Sequence, residues 1–164
     1  MTRQRLLTFE VGDRRFALNS GVVREVVRAV AITALPAAPP IVEGIINVRG
    51  TLVPVLDVRQ RFGLPRVALA PDQHFIIAMA DERVVALRVD RALDLVAADK
   101  DAIESASRVA PGAGYVAGIA KLADGLLVIH DLASFLSLEE AGQVDAAVST
   151  GGTGASLPPR IGKR

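Results

Sequence analysis

A hairpin pattern occurs twice in this chain of 164 residues. Gly44-Ile45-Ile46 and Gly118-Ile119-Ala120 each open an apolar run, and a glycine turn breaks each run, at Gly50 and at Gly125. The returning run ends on an aspartate, Asp57 or Asp131, placed 13 residues after the opening glycine in both copies. An aspartate there can accept hydrogen bonds from the unpaired N–H groups that begin a helix. The pattern predicts two hairpin-and-helix units, at 44–62 and 118–136, and hence two similar β-barrels in one chain. A barrel this small buries little core by itself. The two must share strands or a tight interface.

The other apolar runs are equally short. Leu7, Phe9 and Val11 lie on one face of an alternating strand, Gly12-Asp13 turns the chain, and 15–18 returns beside it. Asn19 and Ser20 cap a helical turn at Val22 and Val23, and β-branched residues then run as a strand towards Ile32. The proline-bearing segment 35–40 cannot enter a central ladder, and Pro54 confines the strand 52–56 to an edge or a bulge. Gly63 and Pro65 end the helix that Asp57 begins. Further strands are expected at 74–80, 84–89, 115–122 and 126–129, with 99–114 as a long loop. Asp131 caps a helix carrying Leu132, Phe135, Leu136 and Leu138, and 143–164 reads as a disordered tail.

Composition restricts the chemistry. Hydrophobic residues make up 51% and aromatics 4%, so the core is aliphatic. The absence of Cys removes thiol nucleophiles, disulfides and thiolate-bound metals, and two His leave almost no material for a metal site. The net charge of +1 hides an asymmetry: residues 1–66 carry ten Arg against five acids, and the remainder nine Lys and Arg against thirteen acids. Guanidinium groups favour bidentate pairing with carboxylates, which points to a protein surface as partner. The uncharged stretch 29–42 is broken by Pro36, Pro39 and Pro40. A cytoplasmic protein without membrane insertion is expected.

No catalytic constellation stands out. His130 and Asp131 adjoin on a strand and point to opposite faces, which suits a strand-end His and a helix cap. His74 opens a strand far from any partner motif, Asp90 and Asp94 read as a solvated bulge, and 151–154 reads as a linker. Phosphate-loop, nucleophile-elbow and dinucleotide signatures are missing. The expectation is a protein that is not an enzyme, with no catalytic, cofactor-binding or metal residues and no cofactor. An alternative is a small barrel binding nucleic acid through the arginines of residues 1–66, but it lacks aromatics for base stacking. Arg59 and Arg61 are expected on the exposed face of the short helix instead.

The run Gly44-Ile45-Ile46-Asn47-Val48-Arg49-Gly50-Thr51-Leu52-Val53-Pro54-Val55-Leu56-Asp57-Val58-Arg59 closely resembles the signature of the CheW family of bacterial chemotaxis coupling proteins. Val23-Arg24-Glu25-Val26, Val89-Asp90 with Asp94-Leu95, and Tyr115-Val116-Ala117-Gly118-Ile119 resemble flanking elements of that family, so the likeness covers 6–138. It implies a mainly β fold: two SH3-like five-stranded β-barrel subdomains sharing a hydrophobic centre, with short helices. It also implies a non-catalytic adaptor that binds the regulatory domain of a CheA-type histidine kinase and the cytoplasmic tips of methyl-accepting chemoreceptors. Such an adaptor would join membrane-bound receptor arrays through protein contacts and would not bind nucleic acid. Arg49 matches the family arginine implicated in coupling, Glu25 matches a glutamate tied to receptor coupling, Val23 lies beside it, and Gly50 completes the turn. Arg88 and His130 stand where the family usually has aliphatic residues; facing a core, each would need a polar partner or solvent.

Overall fold

The computed structural model describes residues 2–105, 116–135 and 138–154, so Tyr115, Leu136 and 155–164 lie outside the described residues. The elements in chain order are β1 (Arg3–Val11), β2 (Arg14–Asn19), β3 (Val23–Arg28), β4 (Val42–Val48), β5 (Thr51–Asp57), α1 (Val58–Phe62), β6 (His74–Ala80), β7 (Arg83–Val89), β8 (Arg91–Asp99), β9 (Ile103–Ser105), β10 (Val116–Leu122), β11 (Gly125–His130) and α2 (Leu138–Gly154). They form a six-stranded sheet ordered β8-β1-β2-β11-β10-β9 and a five-stranded sheet ordered β3-β6-β7-β5-β4. The fold is mainly β, with the expected five strands in one sheet. The other gains a sixth, the three-residue β9, inside the segment expected to be a loop.

The halves of the chain exchange hairpins. The β1–β2 hairpin pairs with β8 and β11 from the second half, and the β6–β7 hairpin pairs with β3 and β5 from the first. The joins β2–β11 and β5–β7 are parallel, which a short hairpin cannot make and a long connection can. Neither sheet can form from one half alone.

The duplicated pattern holds at the level of register. Val42 pairs with Leu56 and Gly44 with Val55; 74 residues on, Val116 pairs with His130 and Gly118 with Ile129. Both first strands slip register at the residue before the glycine. The reason is close approach. A Cβ on Gly44 would lie 2.1 Å from the Thr33 carbonyl oxygen, and one on Gly118 would lie 2.7 Å from that of Glu104. An extra piece of chain crosses there each time, as the Thr33–Ile45 bridge or as β9. The first turn falls at Arg49-Gly50 as read, and the second differs by one position: Ala123-Asp124 occupies the equivalent place, and Gly125, with φ 136°, begins β11. Pro54 is accommodated because the β5–β7 ladder begins only at Val55.

Three apolar clusters follow from this topology. Leu6, Ala17, Leu127 and Ile129 fill the six-stranded sheet, while Ile46, Val53, Phe75 and Ile77 fill the five-stranded one. The largest cluster draws on both, with Leu7, Phe9, Phe16 and Leu18 from one side and Leu56, Ile76, Leu87 and Val89 from the other. This is the expected shared centre.

The short elements follow their caps. Asp57 accepts from the Arg59 N–H at the start of α1, and Gly63 ends it with φ 72°. Asp131 caps only a helical turn at Leu132–Ser134. The expectation of a disordered segment from Gln143 is corrected as far as Gly154, because α2 runs through it. Ala141, Val144 and Ala147 recur at helical spacing and are buried. Arg83 pins the exposed side through two 2.9 Å bonds to Asp145, which raise its pKa against the opposing cost of desolvation.

Two glycines test this arrangement. Gly44→Ala should cost about 2–4 kcal/mol in chemical denaturation, because its Cβ meets backbone. Gly142→Ala, on α2 with open space around it, should stabilise by roughly 0.5–1 kcal/mol. A neutral Gly44→Ala would contradict the close approach, and a destabilising Gly142→Ala would contradict the helix.

Candidate functional site

The turn between β4 and β5 carries two of the four residues singled out by sequence, Arg49 and Gly50. Arg49 and Gly50 both take positive φ, 49° and 89°, the two-residue turn that matches the twist of a hairpin. The Asn47 Oδ1 accepts from the Gly50 N–H at 2.7 Å and holds the tip. A left-handed conformation is costly for Arg, by about 1–2 kcal/mol. The Arg49 side chain is 72% exposed, yet its guanidinium pairs with the carboxylate of Glu25, which is 29% exposed. Glu25 lies on β3 and Arg49 beside β4, the two edges of the five-stranded sheet. The pair and the Thr33–Ile45 bridge draw those edges together. Val23 stands two residues before Glu25, half-buried against the shared centre, at a bulge in the β3–β6 pairing. All four expected residues thus belong to one sheet: Arg49, Gly50 and Glu25 meet at the tip, while Val23 marks where β3 joins the core.

Behind this tip lies a polar network that sequence reading resolved only in part. Arg88 is buried and makes three bonds: to the Glu43 carboxylate at 2.8 Å, to Gln73 Oε1 at 2.9 Å and to the Val67 carbonyl at 2.9 Å. Gln73 donates in turn to Asp90 at 3.3 Å, and Asp90 accepts from Arg59 Nη2 at 3.0 and 2.7 Å. Arg59 also donates to the Pro65 carbonyl. Two expectations are corrected. Arg59 and Arg61 do not line an exposed helix face: their side chains are 11% and 14% exposed, because α1 lies against the strand crossover and α2. Arg61 donates to the Phe135 carbonyl at 2.7 Å and pairs with Glu140. Asp90 is not a solvated bulge, because Arg59, Gln73 and Gly12 all donate to it, whereas Asp94 is exposed. The signal in the sequence was Arg88 itself, since an arginine in an apolar strand demands partners.

Nothing in the arrangement favours a nucleic-acid groove. Five of the ten arginines of residues 1–66 are engaged with carboxylates: Arg15 with Asp124, Arg49 with Glu25, Arg59 with Asp90, Arg61 with Glu140 and Arg66 with Asp57.

Comparison with known proteins places this geometry. A CheW-like domain model matches residues 5–140. The chain belongs to the CheW-like domain family. A chemotaxis protein CheW of Treponema pallidum is 26% identical over 141 residues, covering 82% of this chain and 83% of that protein. One from Rhizobium meliloti is 29% identical over 137 residues, covering 82% and 88%. The crystal structure of the scaffolding protein TtCheW from Thermoanaerobacter tengcongensis superposes with a TM-score of 0.77 at 30% identity, covering 85% of this chain and 96% of that one.

The two departures from the CheW pattern are both buried. Arg88 finds the partners described above. His130 takes the place that Leu56 holds in the other copy, facing the shared centre. Its ring stacks on Phe62 with centroids 4.4 Å apart and lies 4.9 Å from Phe16 and 5.6 Å from Phe135. Asp131 beside it is a cap, accepting from the Ala133 N–H and the Ser134 hydroxyl. His74 is half-buried, its Nδ1 accepting from the Ala92 N–H at 3.2 Å.

Arg88→Ala should destabilise the protein by about 3–5 kcal/mol in urea unfolding, because it strands the Glu43 charge and opens the network. A loss below about 1 kcal/mol, the scale of a surface pair, would contradict a buried role.

Proposed function

We propose that this chain is a non-catalytic adaptor that couples methyl-accepting chemoreceptors to the regulatory domain of a CheA-type histidine kinase. Its contact face includes Arg49, Gly50, Glu25 and Val23. One observation carries the reading: a guanidinium presented on a tightly held hairpin tip, in a conformation that arginine adopts at a cost, with only an exposed ion pair to satisfy it. An exposed pair of this kind contributes about 0–1 kcal/mol. It can be exchanged for a partner's carboxylates or carbonyls with little loss, while the turn keeps the fork of donors in place. The backbone of the tip is set before any partner arrives, which lowers the ordering cost of binding.

The relatives named chemotaxis protein CheW and the structure titled a scaffolding protein support this reading. No helix among the described residues is long and apolar enough to cross a membrane. Association with receptor arrays therefore runs, in this reading, through protein contacts.

Calorimetric titration with the kinase regulatory domain and with a receptor-tip fragment tests it. Arg49→Asp should weaken binding to at least one of them roughly tenfold or more. Its unfolding free energy should stay within about 1 kcal/mol of wild type, the scale of the exposed pair it removes. Unchanged affinity for both partners would remove Arg49 from the contact face. A wild-type protein that binds neither would overturn the adaptor reading.

A further inference from the structure

Among the described residues the chain crosses between the two sheets twice. From β2 to β3 it passes through the turn Ser20–Val22, whereas a single residue, Asp90, separates β7 from β8. That residue is bonded to both sides. On the six-stranded side its N–H donates to the Glu10 carbonyl at 2.9 Å, and its carboxylate accepts from the Gly12 N–H at 2.7 Å. On the five-stranded side the same carboxylate takes both Arg59 contacts and the Gln73 amide. Through Gln73 it reaches Arg88 and Glu43, at the base of the hairpin that carries Arg49. The nearby Ala92–His74 bond also crosses between the sheets.

The shared apolar centre holds the subdomains together, but hydrophobic attraction is non-directional and sets no angle by itself. Charge-assisted, bidentate hydrogen bonds do set one, and their geometry is specific. The side chain is 28% exposed, so water competes with these bonds only in part.

We propose that Asp90 is a positioning residue: it fixes the angle between the two subdomains, and that angle lets receptors regulate a kinase held on the same adaptor. The second clause rests on the adaptor reading above. An adaptor with a loosened angle still binds each partner, yet transmits less from one to the other.

The chain has no native cysteine, so spin labels can be placed at Thr51→Cys, exposed on β5 of the five-stranded sheet, and at Asp101→Cys, exposed on the turn between β8 and β9 of the six-stranded sheet. Distances between them are measured by pulsed electron resonance in wild-type, Asp90→Asn and Arg59→Gln backgrounds. Unlabelled proteins are titrated with the kinase regulatory domain and the receptor-tip fragment. Full-length kinase is then assayed with receptor-bearing vesicles. The variants should show a distance distribution about twofold broader, binary affinities within roughly threefold of wild type, and receptor-dependent kinase stimulation reduced about tenfold. Arg59→Gln leaves the Glu10 and Gly12 bonds of Asp90 in place and carries the test if Asp90→Asn does not fold. A folded variant with a distribution as narrow as wild type overturns the proposal. So does a broadened distribution with full stimulation. Loss of binary binding alongside stimulation, or failure of both variants to fold, assigns Asp90 a purely structural role and also overturns it. Wild-type protein that binds neither partner defeats the adaptor reading instead, while the distances still decide whether Asp90 sets the angle.

Discussion

The parallel joins of β2 to β11 and of β5 to β7 are the constraint on which the molecule depends. Each sheet is completed by a hairpin from the other half of the chain, so neither half holds a foldable unit. The exchange forces the inner faces of both sheets against one another. That contact is the largest apolar cluster, and it supplies the core that a barrel of this size lacks alone. Two similar units can diverge at their surfaces while remaining one body. That suits the proposed adaptor, which would hold two partners in a fixed relation.

Polar groups near the seam then decide what that body presents. Arg88, Gln73, Asp90 and Arg59 form one chain of contacts from the base of the β4–β5 hairpin to the β1–β2 turn. Such a network is costly if any member is left unsatisfied, and it specifies one arrangement when all are paired. At the far end of the hairpin the balance is reversed. Arg49 is exposed, paired only at the surface with Glu25 and set in a backbone conformation unfavourable to it. Buried arginines here shape the molecule; the exposed Arg49 is the one proposed to meet a partner.

Much of the fold was legible because its signals are local. The glycine-to-aspartate spacing located both hairpins, and Asp57, Asp131, Gly63 and Asn19 cap or end their elements as read. The hairpin exchange was not legible, since which strands pair at long range depends on contacts that no local pattern encodes. Helix α2 was missed because its buried stripe consists of alanines and one valine among small polar residues, a faint periodicity beside the glycines that follow. The turn at Ala123-Asp124 was displaced by one residue because Asp-Gly is a strong hairpin signal, while the bulge before Gly118 sets the register. At the candidate site, Arg49, Glu25 and Val23 are singled out by motif resemblance, and nothing in their spacing shows that two sheet edges meet there. The partners of Arg88 lie 15 to 45 residues away, so its need was readable and its solution was not.

The most direct test of the adaptor account is sedimentation of the kinase with receptor-bearing vesicles, with and without this protein. The account predicts that kinase enters the vesicle pellet only when the protein is present, rising with its concentration to a stoichiometric plateau. Kinase that pellets equally without it, or that stays in the supernatant at saturating protein, would contradict the account.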